Sequence, residues 1–439
     1  MHVLNRTMEL GEGLVSRRIY SDESIYRLEL ERIFHRCWLF LCPESMIARP
    51  GDYMTTYMGE DQVVVWRDQN GKIRAFLNSC PHRGNMVCLY DMGRASSMVC
   101  SYHGWTFNSE GKLVGVPFYN EAYLGQLDRS QWGLVEVPKV HSYGGLVFGC
   151  WDADAVSLDE YLGELRWYLD RVLLAEDMGG IEAIPGMLKY AMVGNWKGFA
   201  DNNVGDHYHG YTTHGYAFRK RDSDLVDAPQ GKSGYFEIAL SPGHGLGGIY
   251  TDTSQYESDL KRAQELGSEV VDWVTERFRR MQERMKDDLS KTYGYSHGNC
   301  FPNLALTGAS SAFTGRNFML CQPKGPLNSE IWQWWLVEKA APRVVKEIAA
   351  ISSLRGQAGA GLFGMDDSEN HERLTEMTQT PFAQSLPFHY GMSVEHDGNW
   401  PGQGEWRTEG LPGVVGPRFS ESNQRRFYAH WAKLMGVDD

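Results

Sequence analysis

The sequence predicts an α+β chain in which an antiparallel β module is inserted into a larger α+β domain. Three observations carry this. Residues 40–155 read as short strands bounded by turns; the flanking stretches mix long helical patterns with isolated strands; and no internal repeat or low-complexity linker separates them. The expected organisation is an N-terminal segment over 1–39 packing on the main domain, the β module over 40–155, and the main domain over 156–439. A chain of 439 residues has room for about three domain-sized units.

Each element has its own signal. Residues 22–37 should open as a helix, since Ile25, Leu28, Ile33 and Phe34 recur at roughly helical spacing after an acidic start. Residues 62–66 and 72–77 flank a turn ending in Asn70-Gly71, a strong hairpin signal. Residues 105–107 and 112–114 suggest a second hairpin around Ser109-Glu110-Gly111, and 146–148 a further strand. Ser157-Leu158-Asp159-Glu160 is a capping box that should start a helix through Leu169. Residues 187–196 and 330–337 are strand-like. A charged amphipathic helix is expected over 259–286, its apolar stripe facing the core, and a last helix over 422–435 with Phe427, Trp431 and Leu434 on one face.

Composition excludes several classes. Hydrophobic residues make up 42% and charged residues 23%, as in ordinary soluble globular proteins. A net charge of -13 argues against a nucleic-acid surface. The one basic run, Arg219-Lys220-Arg221, is followed by Asp222 and Asp224 and reads as a solvated loop. No apolar stretch reaches the roughly 18 residues of a membrane span, and the first twenty residues lack a signal-peptide core. Of eight cysteines, Cys37, Cys42, Cys88, Cys150, Cys300 and Cys321 follow no disulfide spacing and read as small buried hydrophobes, so a cytoplasmic location is expected.

The other two cysteines carry chemistry. Cys80-Pro81-His82 and Cys100-Ser101-Tyr102-His103 each offer one thiolate and one imidazole. Two thiolates on one iron and two imidazoles on the other is the Rieske arrangement of a [2Fe–2S] cluster. A structural zinc is the plainer alternative, but zinc fingers take both cysteines from one turn and both histidines from a helix. Glycines at 84 and 104 allow tight loops. Both loops are expected at the tips of β-hairpins, where a rigid support carries function.

A second centre lies in residues 201–214. His209 and His214 are five apart, about 140° on a regular helix, so their convergence on one metal needs a broken helix, which Gly210 permits. Two imidazoles and a carboxylate on one face of an iron leave positions open for dioxygen. Among fourteen histidines some pairs arise by chance, and His35, His141, His207 and His389 read as ordinary hydrogen-bonded residues. Asp206, three residues before His209 on one helical face, is placed to accept the imidazole N–H that the metal does not use. The carboxylate ligand is Asp366 or Asp367, although an acidic helix start would explain both.

Together these motifs resemble the large (alpha) subunit of the Rieske non-haem iron aromatic-ring-hydroxylating dioxygenases, in the naphthalene and biphenyl dioxygenase branch. The resemblance is carried by Cys80-x-His82-Arg83-Gly84, Cys100-Ser101-Tyr102-His103-Gly104-Trp105, Asn202-x-x-Gly205-Asp206-x-Tyr208-His209-x4-His214 and Asp366-Asp367. It implies an antiparallel Rieske domain inserted in a helix-grip-like catalytic domain whose antiparallel sheet is flanked by helices. It implies that Cys80, His82, Cys100 and His103 hold the cluster, that His209, His214 and Asp367 hold mononuclear Fe(II), and that Asn202, Asn203, His297, Asn299 and Phe363 lie at the substrate pocket. It also implies that Asp206 links the cluster of one protomer to the iron of its neighbour.

The activity so implied is attack of dioxygen on an aromatic ring, giving a cis-dihydrodiol, with electrons from NAD(P)H arriving through ferredoxin and reductase partners. No nicotinamide motif follows a strand in this chain. The implied assembly is three alpha subunits with three small beta subunits, or three alpha subunits alone. Departures touch the substrate: Asn203 stands where hydrocarbon-oxidising relatives often have an aromatic, Gly364 where they often have an acid, and the loop after Asn299 is shorter. Asn85 and Ser101 replace the extra cysteines of respiratory Rieske proteins, pointing to a low potential. Rival readings are a Rieske monooxygenase or dioxygenase acting on an aromatic acid or other polar aromatic, a plain electron carrier, and a zinc-bearing module.

Overall fold

The computed structural model describes residues 8–9, 13–173, 178–215, 233–251, 254–285, 292–308, 311–396 and 410–437. The basic run at 219–221 lies outside them. The chain forms two compact units, Phe34–Leu158 and a larger one made of Met1–Ile33 with Asp159–Asp439. The smaller unit begins before residue 40 because its first strand, Leu39–Pro43, pairs antiparallel with Leu146–Cys150. The Trp38 indole also donates to Val156 O at 2.9 Å, which holds both ends of the unit together.

In the smaller unit the hairpin of Asp61–Arg67 and Ile73–Leu77 forms as expected, its turn closed by Gly71 at φ 86°. These strands belong to a four-stranded sheet with Asp52–Met58 and Met92–Arg94. A three-stranded sheet comprises Ser97–Val99, Thr106–Asn108 and Leu113–Gly115. Trp66, Phe76, Trp105 and Phe107 are buried between them. The cysteine–histidine loops lie at hairpin tips, but not those of the two hairpins visible in sequence: one is closed by the Ser79–Met86 bridge, the other by Ser97–Val99 against Thr106–Asn108.

The larger unit is built on a nine-stranded antiparallel sheet. Its order runs Ile181–Ala183, Ser329–Glu338, Arg316–Pro323, Leu304–Thr307, Thr292–Cys300, His244–Thr251, Ser233–Leu240 and Val414–Pro417, with Leu188–Met192 also on Ser329–Glu338. Helices Trp196–Asn203, Gly364–Met377 and Ser422–Met435 accompany the sheet. The buried Lys197 ammonium meets Glu29 at 2.7 Å, and the indoles of Trp196 and Trp431 each donate to that carboxylate at 2.8 Å. A buried ion pair needs such complete satisfaction to persist. It ties together the helices Glu23–Glu29, Trp196–Asn203 and Ser422–Met435.

Three expected helices are shorter or broken. The first is α-helical only over Glu23–Glu29 and widens into a π turn at Leu30–Phe34. Gly163, at φ 47°, separates Leu158–Leu162 from Leu165–Leu173, and Gly267, at φ 112°, separates Ser254–Leu266 from Ser268–Met285. The last helix occupies Ser422–Met435, as its periodicity predicts. Among the described residues no helix is long and apolar enough to cross a membrane.

Candidate active site

The two cysteine–histidine loops share one backbone pattern. Cys80 N–H donates to Asn85 O and Gly84 N–H to Cys80 O; Cys100 N–H donates to Trp105 O and Gly104 N–H to Cys100 O, all at 2.7–2.9 Å. Both glycines take positive φ, 73° and 72°, which closes each five-residue turn. Cys80 and Cys100 are buried at 2% exposure each. The His82 and His103 rings meet edge-on at 4.5 Å, and His82 stacks on Trp105 at 4.8 Å.

Burial, with Cys100 as neighbour, raises the Cys80 thiol. Burial also opposes ionisation of Cys100, but the amides of Tyr102 and His103 and the Asn85 amide, 3.7 Å from Sγ, outweigh it and lower that thiol. Among the described residues the buried Nδ1 of His82 has no hydrogen-bond partner. Two adjoining thiols and two adjoining imidazoles, one with a ring nitrogen left over, fit a cluster with unlike ends.

The second centre is assembled by a helix that stops. Trp196–Asn203 is capped by Asn195, whose side chain accepts from Lys197 N–H, and stops at its C-cap Val204, just before Gly205. That residue has φ 124°, and a Cβ there would lie 2.6 Å from Gly247 N and Leu246 C, so only glycine fits. The chain then turns to Asp206, whose Oδ1 accepts from the amides of Tyr208 and His209 at 2.7 and 3.2 Å. Asp206 and His209 therefore meet through a capped turn rather than on the face of a regular helix. His209 opens a single 3-10 turn, His209–Tyr211, and this break swings His214 back toward it.

His209 Nε2 and His214 Nε2 are 3.2 Å apart, and Asp367 Oδ1 lies 3.7 and 3.2 Å from them. These three atoms lie within 4.8 Å of one another, in the arrangement a metal ion takes up. Asp366 instead sits 3.9 Å from the opposite nitrogen of His214, and Asp206 Oδ2 is 3.3 Å from the opposite nitrogen of His209. Each imidazole thus has one carboxylate on the converging side and one behind it. Burial raises Asp206 and Asp367, but their histidine neighbours outweigh it and hold both below the usual carboxylate range. The donor set fits a divalent iron.

These atoms line a cavity of about 620 Å³. Asn202, Asn203, His297 and Phe363 line it, with the Phe363 ring 5.0 Å from that of His214. Asn299 is not among the lining residues. It is fully buried and donates to Pro302 O at 3.2 Å, held inside the sheet by its own strand pairing. His207, read from sequence as a bystander, lines the cavity and lies 3.1 Å from Ser296 Oγ. Tyr235, Ser296, Thr307, Asn317, Gln357 and Arg418 also line it and were missed.

Strand register explains several of these. His297 pairs with Thr307 and Thr307 with Asn317, a row across three strands. Ser296 joins His297 because a bulge opposite Gly247 and Gly248 leaves it unpaired, so consecutive side chains reach one cavity. No local sequence signal marks that bulge; the glycine pair at 247–248 is the nearest to one.

Comparison with known proteins agrees on both units. Residues 37–138 match the Rieske [2Fe-2S] domain family, and residues 158–437 match the family described as ring hydroxylating alpha subunit (catalytic domain). The chain is 35% identical to the benzene 1,2-dioxygenase alpha subunit of Pseudomonas putida, over 97% of this chain and 92% of that one. It is 35% identical to the biphenyl 2,3-dioxygenase alpha subunit of Rhodococcus jostii, over 97% and 90%. Naphthalene 1,2-dioxygenase from Rhodococcus sp., solved with indole bound, superposes with a TM-score of 0.81 at 32% identity, covering 99% of this chain and 98% of that one.

Proposed function

The chain belongs to the alpha subunits of the aromatic ring-hydroxylating dioxygenases, and we propose that it converts an aromatic ring to a cis-dihydrodiol at the His209–His214–Asp367 centre. As a member it is a Rieske non-haem iron oxidoreductase using a [2Fe–2S] cluster, mononuclear iron and dioxygen, within a system that also needs reductase or ferredoxin proteins. When bound, the cluster supplies single electrons and the iron activates dioxygen.

The protein's own part is placement. His209, His214 and Asp367 would hold the iron on one wall of the cavity, and Cys80, His82, Cys100 and His103 the cluster. Asp206 would orient His209 and carry the link to a cluster held by a neighbouring protomer. Phe363, Met319 and Tyr235 offer the ring an apolar and aromatic wall away from water. The proposed assembly contains three alpha subunits, joined by small beta subunits or alone, in the cytoplasm.

The observation that carries this reading is the convergence of two imidazoles and one carboxylate on a 620 Å³ cavity, in a chain that also presents paired Cys–His loops. The substrates named for the relatives, benzene and biphenyl, set the first panel of one- and two-ring compounds. A polar aromatic is the second reading, favoured by Asn317, Gln357 and Arg418 at the cavity wall. Turnover under isotopic dioxygen tests the chemistry: two labelled atoms in a diol support it, and a single labelled atom in a phenol assigns a monooxygenase instead.

A further inference from the structure

The cavity carries a cation that, among the described residues, is paired with no carboxylate. Arg418 follows the edge strand Val414–Pro417 and lines the cavity that holds the metal-binding histidines. Its guanidinium sits against three rings, 4.5 Å from Tyr235, 5.0 Å from Tyr211 and 5.2 Å from Phe419. Among the described residues it makes no ion pair, and its Nε is buried without a hydrogen-bond partner. The buried arginines described in this unit are unlike it: Arg316 meets Glu338 at 2.6 Å, beside Arg277 at 2.9 Å, and Arg425 donates to Tyr390 O at 2.6 Å.

Asn317 lines the same cavity, on a different strand. Its Oδ1 accepts from Gln333 at 3.0 Å, which fixes the amide and, among the described residues, leaves the buried Nδ2 without an acceptor. A cavity whose lining offers a guanidinium and a spare amide donor is complementary to groups that only accept. A hydrocarbon alone would leave these donors desolvated and unpaired, which is costly. The acids of the cavity, Asp206 and Asp367, are engaged by histidines; they would repel an anion, so a charged substituent belongs at the Arg418 side.

We propose that Arg418 forms a subsite for a carboxylate, and that the substrate class is an aromatic ring carrying that group. The apolar and aromatic side chains take the ring, and Arg418 sets which edge faces His209 and His214. This rests on the ring-hydroxylation reading and names its substrate class.

The test is equilibrium binding to the iron-loaded, oxygen-free protein, which does not depend on turnover. The probes are matched sets: benzoate, benzamide and toluene, then 2-naphthoate, 2-naphthamide and 2-methylnaphthalene. The carboxylate of at least one set should bind about tenfold or more tighter than its amide, as charge-assisted hydrogen bonds require. Arg418→Met should bring that preference to near one, and Arg418→Lys, which keeps charge without the planar fork, should retain part of it.

A preference that survives Arg418→Met overturns the proposal. So does a wild-type protein that prefers the amide or hydrocarbon, or that binds no probe; an internal anion already paired with Arg418 would give one of these results. If Arg418→Met does not fold, the wild-type preference and Arg418→Lys decide. Carboxylates that bind through Arg418 but yield no hydroxylated ring contradict the function proposed above and leave this subsite standing. Diols formed from hydrocarbons without any carboxylate preference do the reverse.

Discussion

Asp366 and Asp367 are neighbours in sequence, yet only Asp367 presents an oxygen to both His209 and His214. Asp367→Ala should therefore cost the mononuclear iron, while Asp366→Ala, which removes a group 3.9 Å behind His214, should weaken its binding by about 10-fold to 100-fold at most. Metal analysis of the two variants checks this. For Asp206→Ala the expectation is different: both metals bound, with turnover lower by about 100-fold. Full activity in a metal-replete Asp206→Ala protein would reduce Asp206 to a cap. The cluster residues and the two metal histidines were legible because their spacing is local. Arg418 was not, because an arginine two hundred residues from the histidines joins their cavity only through the folded sheet; His207 was not, because its part depends on Ser296 and His297 of a distant strand.

At the scale of elements, the metal site depends on a helix ending where it does. Gly205→Ala puts a Cβ 2.6 Å from backbone atoms at φ 124°, and should destabilise the protein by about 2 kcal/mol or more, read as a lower denaturant midpoint. His244 supplies a pH dependence. Its Nε2 bonds Tyr161 O at 3.0 Å and its Nδ1 accepts from Phe301 N–H at 2.9 Å, a pattern only the neutral ring satisfies. Burial pulls it from 6.5 down to about 4. A folded value below the unfolded one means its contribution is complete above about pH 6.5 and is lost as pH falls toward 4, amounting to about 3 kcal/mol. Urea midpoints should fall over that window in the wild type and fall less steeply in His244→Gln. Periodicity located the elements well, but not their breaks: Gly163 and Gly267 divide helices whose apolar patterns run on through them. The Ser296 bulge leaves no periodic trace, so the pocket face of that strand could not be read beforehand.

For the whole molecule, the run of short strand patterns over 40–155 points to an inserted β unit; in the structure that unit spans Phe34–Leu158, because pairing of Leu39–Pro43 with Leu146–Cys150 draws in residues before 40. If electrons pass between protomers, complementation follows. Co-assembled His103→Ala and Asp206→Ala chains, each nearly inactive alone, should regain activity, because one contributes an intact iron site and the other an intact cluster. Transfer confined within a chain predicts no recovery. The central claim is that one polypeptide carries both centres, and iron and sulfide analysis coupled to EPR of the reduced protein tests it most directly. We predict about three irons and two acid-labile sulfides per chain with a Rieske-type signal; about two irons per chain, or no such signal on reduction, would contradict it.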